Sequence, residues 1–273
     1  MVISELISTI KGRLLENAEF EAKEIVMYAL NLSRNELILN PKREVTDSEM
    51  QRVDELVKRR LSGEPLQYIL GFSEFMSLKF SVNSHTLIPR SDTETLVELL
   101  IEKIGSKKCS LLDIGTGTGC IGISLAKYSG ADVTLADISK EALKIATENA
   151  EQNGVTIKTL NIDILNETPQ DKYDIVVSNP PYIRSNVIPT LQTEVKEFEP
   201  LSALDGGKDG LIFYKRITEI APNILNNGGI LAYEIGYDQG DEVKAMMEKD
   251  FCDVEVIKDL CGNDRVVIGV KKG

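Results

Sequence analysis

The chain has 273 residues, 42% hydrophobic and 27% charged, with a formal net charge of −12. That length suits one large domain or two modest ones with ample core. The acidity argues against an autonomous nucleic-acid binder, since phosphate neutralisation dominates such affinity.

The first residues, Met1-Val2-Ile3-Ser4-Glu5, lack the basic start of a signal peptide, and no apolar run is long enough to span a membrane. Cys109, Cys120, Cys252 and Cys261 show no CxxC spacing, and with the single His85 they make no credible metal set. A cytoplasmic protein with reduced thiols is expected.

From the start, Ile3, Leu6, Ile7, Ile10 and Leu14 form one helical stripe and Ala22, Ile25, Val26 and Ala29 a second. A short helix is expected over Asn35 to Leu39, stopped by Asn40-Pro41. Thr46 and Glu49 form a capping box for a helix carrying Met50, Val53, Leu56, Val57 and Leu61. The basic run Lys58-Arg59-Arg60 reads as a solvated face of that helix. This helical module has no catalytic constellation and reads as a docking module for a partner, with a stabilising cap as the alternative. Leu78, Phe80 and Val82 then alternate with polar residues, as in a hairpin. Ser91 and Glu94 form a second capping box, opening a helix with Leu96, Val97, Leu100 and Ile104. These marks divide the chain into a helical module at 1–75, a hairpin linker at 76–92 and a third region at 93–273.

That third region alternates strand and helix, as parallel sheets do. The strand Ser110 to Ile114 runs into Gly115-Thr116-Gly117-Thr118-Gly119 and a helix. Glycines let backbone approach a ligand closely in front of a helix N-terminus. The spacing fits neither G-x-G-x-x-G nor a P-loop. The next strand, Val133 to Asp137, ends in an acid that can accept from both ribose hydroxyls of an adenosyl ligand; a helix cap is the alternative. At the following strand end, Asp163 can accept from an adenine amino group beside Ile164, although a turn aspartate would look the same. Asn186 to Phe198 is mostly polar and reads as a flap, and the last two strands read as an antiparallel hairpin.

The centre of the chain is Asp174-Ile175-Val176-Val177-Ser178-Asn179-Pro180-Pro181-Tyr182. The apolar run is a buried strand, and the prolines end it. Asn179 Oδ1 and the Pro180 carbonyl can accept two N–H groups from a planar nitrogen, with Tyr182 flat against the group. Nothing here is a strong base, so the chemistry is positioning and electrostatic. Taken alone, the tetrapeptide is equally a proline-rich turn. Arg90 is either a contact for an acidic partner or substrate, or an ordinary ion pair.

Together, Asp113 to Gly119, Asp137 and Asn179-Pro180-Pro181-Tyr182 resemble class I methyltransferases that use S-adenosyl-L-methionine. Leu87-Ile88-Pro89-Arg90-Ser91-Asp92-Thr93-Glu94 is similar to the signature of the HemK/PrmC family, the peptide chain release factor glutamine methyltransferases. Gly63-Glu64-Pro65-Leu66-Gln67-Tyr68, Asp205-Gly206-Gly207-Lys208-Asp209-Gly210-Leu211 and Asp264-Arg265 match as well. The resemblance implies an α/β fold: a Rossmann-like seven-stranded sheet with its last strand antiparallel, joined by a β-hairpin to a five-helix bundle. It implies as substrate the glutamine of Gly-Gly-Gln in class I release factors, methylated on its amide nitrogen and leaving S-adenosyl-L-homocysteine; a monomer is expected. Carried over residue by residue, Gly115, Thr116, Gly117, Thr118 and Gly119 contact the methionine part, Asp137 the ribose, and Asp163 and Ile164 the adenine. Asn179, Pro180, Pro181 and Tyr182, with Arg90, bind substrate, and Asn179 also lies near the methyl group. Many members carry an aromatic residue where Ile164 stands. The competing readings are a ribosomal-protein glutamine methyltransferase, an adenine-N6 nucleic-acid enzyme and a non-enzymatic binder.

Overall fold

The computed structural model describes residues 1–14 and 17–273. The backbone divides into two compact units, 1–71 with 193–198, and 72–192 with 199–273.

The first unit contains α1 (Ile3–Lys11), α2 (Ala18–Leu30), α3 (Arg34–Leu39), α4 (Asp47–Leu61) and α5 (Leu66–Leu70), together with the helix Thr193–Phe198. The expected stripes form its core: Ile3, Leu6, Ile10, Ala22, Ile25, Val26, Val53 and Val57 are all buried. Thr46 caps α4 as expected, its Oγ1 accepting from the Glu49 amide at 3.3 Å while Glu49 accepts the Thr46 amide at 2.9 Å. The basic run at the end of α4 is not simply solvated. Arg59 pairs with Glu64, and Arg60 is held by Glu21 at 2.7 Å and by Glu194 at 2.6 Å.

The second unit opens with the antiparallel hairpin β1 (Phe72–Phe75) and β2 (Leu78–Ser81), followed by α6 (Glu94–Ile104). The second capping box does not form. A single 3-10 turn covers Ser91–Thr93, Thr93 is already helical, and no side chain caps α6. Glu94 instead accepts the Met76 amide at 2.6 Å, at a hairpin tip where Met76 and Ser77 both have positive φ. That partner is distant in sequence, so the local motif does not reveal it.

Strand and helix then alternate: β3 (Ser110–Ile114), α7 (Cys120–Ser129), β4 (Asp132–Asp137), α8 (Lys140–Gln152), β5 (Lys158–Asn161) and β6 (Tyr173–Ser178). The polar stretch read as a flap contains a 3-10 turn at Ile188–Thr190 and α9, the Thr193–Phe198 helix already placed in the first unit. The chain ends with α10 (Ile212–Ile224), β7 (Leu225–Glu234), α11 (Gly240–Met247), β8 (Phe251–Lys258) and β9 (Asp264–Lys271).

The seven-stranded sheet has the order β5-β4-β3-β6-β7-β9-β8, parallel from β5 through β7, with β9 antiparallel to both neighbours. Leu111, Ile175, Val177 and Ala232 pack on one face, and Leu112, Val176, Leu231 and Tyr233 on the other. Two covered faces explain the unbroken apolar runs. From β3 the chain steps outward to β4 and β5, then returns to place β6 on the opposite side of β3. That reversal opens a crevice at the carboxyl ends of β3 and β6, the usual ligand position in open α/β sheets.

Candidate active site

The loop after β3 is built around two carboxylates. Asp113 Oδ2 accepts from Thr116 Oγ1 at 2.6 Å and from the Gly122 amide at 3.1 Å. Burial pushes its carboxyl up to about 6 against the pull of those two donors. Its Oδ1 is buried and has no hydrogen-bond partner among the described residues. Asp137, ending β4, accepts from the Gly117 amide and the Ser139 amide, each at 2.9 Å. Burial raises this carboxyl too, partly offset by the Ser139 and Gly117 donors. The cap of α8 is Ser139, whose Oγ takes the Ala142 amide at 3.1 Å, so Asp137 is left to the crevice.

The three loop glycines have different roles. All have positive φ, +69° at Gly115, +54° at Gly117 and +82° at Gly119. A Cβ on Gly115 or Gly117 would meet nothing within 4 Å, and both residues line a cavity of about 290 Å³. A Cβ on Gly119 would stand 2.6 Å from Ile123 Cδ1, so that glycine serves packing. Thr116 and Thr118 are buried in the loop's own support. Of the five loop residues expected to touch a cofactor, Gly115 and Gly117 are therefore the two on the cavity wall.

The wall also carries Asp137, Ile138, Asp163 and Ile164, then Asn179, Pro180 and Pro181 from the end of β6. The cavity volume is near the lower end of the usual small-molecule range, about 300–1,000 Å³. Asp163 spends both oxygens on its own turn, accepting the Leu165 amide at 3.1 Å and Asn166 Nδ2 at 2.7 Å, so any ligand contact uses the remaining lone pairs. Ile164 is aliphatic, but Phe213 from α10 brings an aromatic ring to the same cavity. His85, Thr86 and Leu87, from the segment after the hairpin, complete the wall. Leu87 opens the family signature, whereas Phe213 and Thr86 carry no signal in the sequence, because tertiary folding alone brings them there.

Asn179 donates Nδ2 to Thr93 Oγ1 at 3.3 Å. Tyr182 lies outside the cavity lining, beside Gly236, with its carbonyl accepting Gln239 Nε2 at 3.2 Å. Burial and the nearby Glu234 push its phenol up to about 12, so it stays neutral. The glycine-rich turn at 205–211 forms the bed for this segment. The Gly206 amide donates to the Ile183 carbonyl at 2.9 Å and the Ile183 amide to the Leu204 carbonyl at 3.0 Å, and a Cβ on Gly206 would stand 2.7 Å from the Pro181 carbonyl oxygen. Arg90 is committed to the buried carboxylate of Glu199 and is not on the cavity wall.

The donor set fits an adenosyl ligand. A carboxylate at the end of β4 lines the cavity, two side-chain-free positions leave room before a helix N-terminus, and the apolar Ile164 and Phe213 share the lining. Among the described residues, no group of three His, Cys, Asp or Glu is placed to hold a metal.

Comparison with known proteins agrees with this geometry. Residues 2–71 match the PrmC N-terminal domain and residues 83–195 the Methyltransferase small domain. The release factor glutamine methyltransferase of Clostridium acetobutylicum is 39% identical over 94% of this chain and 94% of its own length. The chain belongs to the release factor glutamine methyltransferase family. The Geobacter sulfurreducens member is 41% identical over 93% of this chain and 90% of its own length. A methyltransferase from Pyrococcus furiosus shares the fold at TM-score 0.56 and 20% identity, covering 79% of this chain and 98% of its own. The family membership and the sheet order bear out the expected class I methyltransferase fold.

Proposed function

We propose that this chain methylates the side-chain amide nitrogen of the glutamine in the Gly-Gly-Gln tripeptide of class I release factors, with S-adenosyl-L-methionine as methyl donor. Relatives matching 94% and 93% of the chain are named release factor glutamine methyltransferase, which supports this reading. The observation that carries the chemistry is the placement of Asn179 and Pro180 at the end of β6, on the wall of the cavity that also holds Asp137.

Gly115 and Gly117 would take the methionine part, Asp137 the ribose hydroxyls, and Asp163, Ile164 and Phe213 the adenine. When bound, the donor supplies a methyl group on cationic sulfur, electrophilic enough for a weak nucleophile. The protein's task is to hold that nucleophile. Asn179 Oδ1 and the Pro180 carbonyl accept the two amide N–H groups, which fixes the nitrogen and spreads the positive charge that develops on it. Proline holds its carbonyl rigidly and has no N–H to compete. Tyr182, neutral and packed, supports the segment from behind. Thr116, Thr118 and Gly119 act through the shape of the loop, and Arg90 through Glu199. We read the chain as a cytoplasmic monomer that docks its substrate through the helical unit and needs no nucleic acid or membrane.

The test is transfer of labelled methyl to a purified release factor, with the modified peptide read by mass spectrometry. One methyl on the Gly-Gly-Gln glutamine is expected. Asn179→Ala should lower turnover by roughly 10²–10³ while leaving S-adenosylhomocysteine affinity within about threefold. Transfer to a ribosomal protein or to adenine instead would overturn the substrate.

A further inference from the structure

Glu234 is a carboxyl the mechanism above does not use, and only 2% of it is exposed. It ends β7, and the register places Ser178 of β6 opposite Tyr233, which brings Glu234 level with Asn179. Its Oε2 has no hydrogen-bond partner among the described residues. Tyr214 Oη holds its backbone carbonyl at 2.9 Å. Thr93, also 2% exposed, accepts Asn179 Nδ2 at 3.3 Å.

Hydrogen bonds have direction. A hydroxyl that accepts from Asn179 has its own proton free to give, and Glu234 is the buried carboxyl that the sheet register sets level with Asn179 and whose Oε2 is unpartnered among the described residues. Thr93 and Asn179 both favour the Glu234 anion, against a burial that pushes the carboxyl up to about 7. The other charged or titratable groups facing it are Arg265 on β9, Asp92 in the 3-10 turn, Tyr182 after β6, Tyr214 on α10 and Cys120 on α7.

We infer that Thr93 and Glu234 are positioning residues: the relay Asn179 Nδ2–H to Thr93 Oγ1–H to the Glu234 carboxylate turns Asn179 so that Oδ1, not the NH₂, meets the substrate amide. The inference deepens the proposed function and rests on it. Asn179 can present either end of its amide. The wrong end would set donor against donor, costing the substrate's hydrogen bond and adding a repulsion. Removing the relay frees that rotation without touching cofactor or substrate.

The variants are Glu234→Gln, Thr93→Val and Thr93→Ser. Glutamine removes the charge and brings an NH₂ that competes with Asn179 for the Thr93 oxygen. Valine keeps the shape and removes the hydroxyl, while serine keeps the hydroxyl. Glu234→Gln and Thr93→Val should lose roughly 10²-fold in kcat, with release-factor KM and S-adenosylhomocysteine affinity within about threefold and Thr93→Ser close to wild type. A second readout needs no methyl acceptor. The Asn179 side-chain NH₂ signals, assigned by their loss in Asn179→Ala, should resist hydrogen exchange in wild type and Thr93→Ser. In the other two variants that protection should be lost. If wild type methylates no release factor yet shows this exchange pattern, the substrate reading fails and the relay stands. Unchanged kcat and exchange in Glu234→Gln and Thr93→Val would overturn the relay. So would a parallel fall in kcat, cofactor affinity and melting temperature, which marks a merely structural role.

Discussion

Asn149, buried on the inner face of α8, donates Nδ2 to the Thr118 carbonyl at 2.9 Å and so fastens the glycine loop to the neighbouring helix. The same side chain pairs with Ser81 of β2, accepting its amide at 2.7 Å and donating to its carbonyl at 3.1 Å. Asn149→Leu removes all three bonds and leaves buried backbone groups unpaired. It should destabilise the protein by about 2–4 kcal/mol in urea melts. It should also weaken S-adenosylhomocysteine binding, because the loop loses its anchor.

The division of labour among the loop glycines is testable by alanine. Gly117→Ala forces a Cβ into a positive-φ site, costing about 1 kcal/mol, and places that carbon in the cavity. Calorimetry should show a drop of about tenfold or more in S-adenosylhomocysteine affinity. Gly119→Ala meets Ile123 and Ala146 instead. It should cost about 1–3 kcal/mol of stability by overpacking, with a smaller change in affinity for the protein that still folds.

Phe213 shares the cavity wall with Ile164. Phe213→Ala should reduce S-adenosylhomocysteine affinity by about 1–2 kcal/mol if its ring meets the adenine, reflecting lost apolar contact. Phe213→Leu should recover part of this. Equal affinity in all three proteins would remove Phe213 from the adenine site.

Glu234 links stability and turnover to pH in opposite senses. Its ordinary carboxyl value of 4.5 is raised to about 7 in the folded protein. Between those values the folded chain holds a proton that the unfolded chain has released. The stabilisation is therefore full below about 4.5 and is lost as pH rises through about 7, on the order of 3 kcal/mol. Turnover should rise over the upper part of the same range, since the relay needs the anion. Asp113 is raised to about 6 and contributes a similar slope. The diagnostic measurement is thus the difference between wild type and Glu234→Gln in urea melts at pH 5 and pH 8, with the variant showing the flatter dependence.

What the sequence made legible was what local chemistry dictates. Gly115 and Gly117, Asp137 and Asn179-Pro180 each sit at the end of a strand whose apolar run announces it, and the crevice follows from strand order. Asn149 left a readable trace, an amide interrupting the stripe of Ala142, Ile145, Ala146 and Ala150. Glu234 left another, an acid closing the apolar run Ile230 to Tyr233. Less legible were features decided by distant partners. Glu94 looks like a cap until Met76 takes it, Arg90 leaves substrate contact and ion pair open until Glu199 takes it, and Phe213 carries no signal until α10 brings it to the cavity.

The presence of Thr193–Phe198 in the first unit has a consequence for how that unit is made. A ribosome releases residues 1–71 long before Glu194, so the nascent helices have Glu21 for Arg60 but lack its second carboxylate for most of synthesis. Residues 1–71 therefore gain their last contact only after residue 194, a contact of high sequence separation, although the unit still has all its residues before the second one does. A gene fusion that moved residues 1–71 as a cassette would carry Arg60 away from Glu194. Transplanting this unit intact requires the six-residue helix to travel with it.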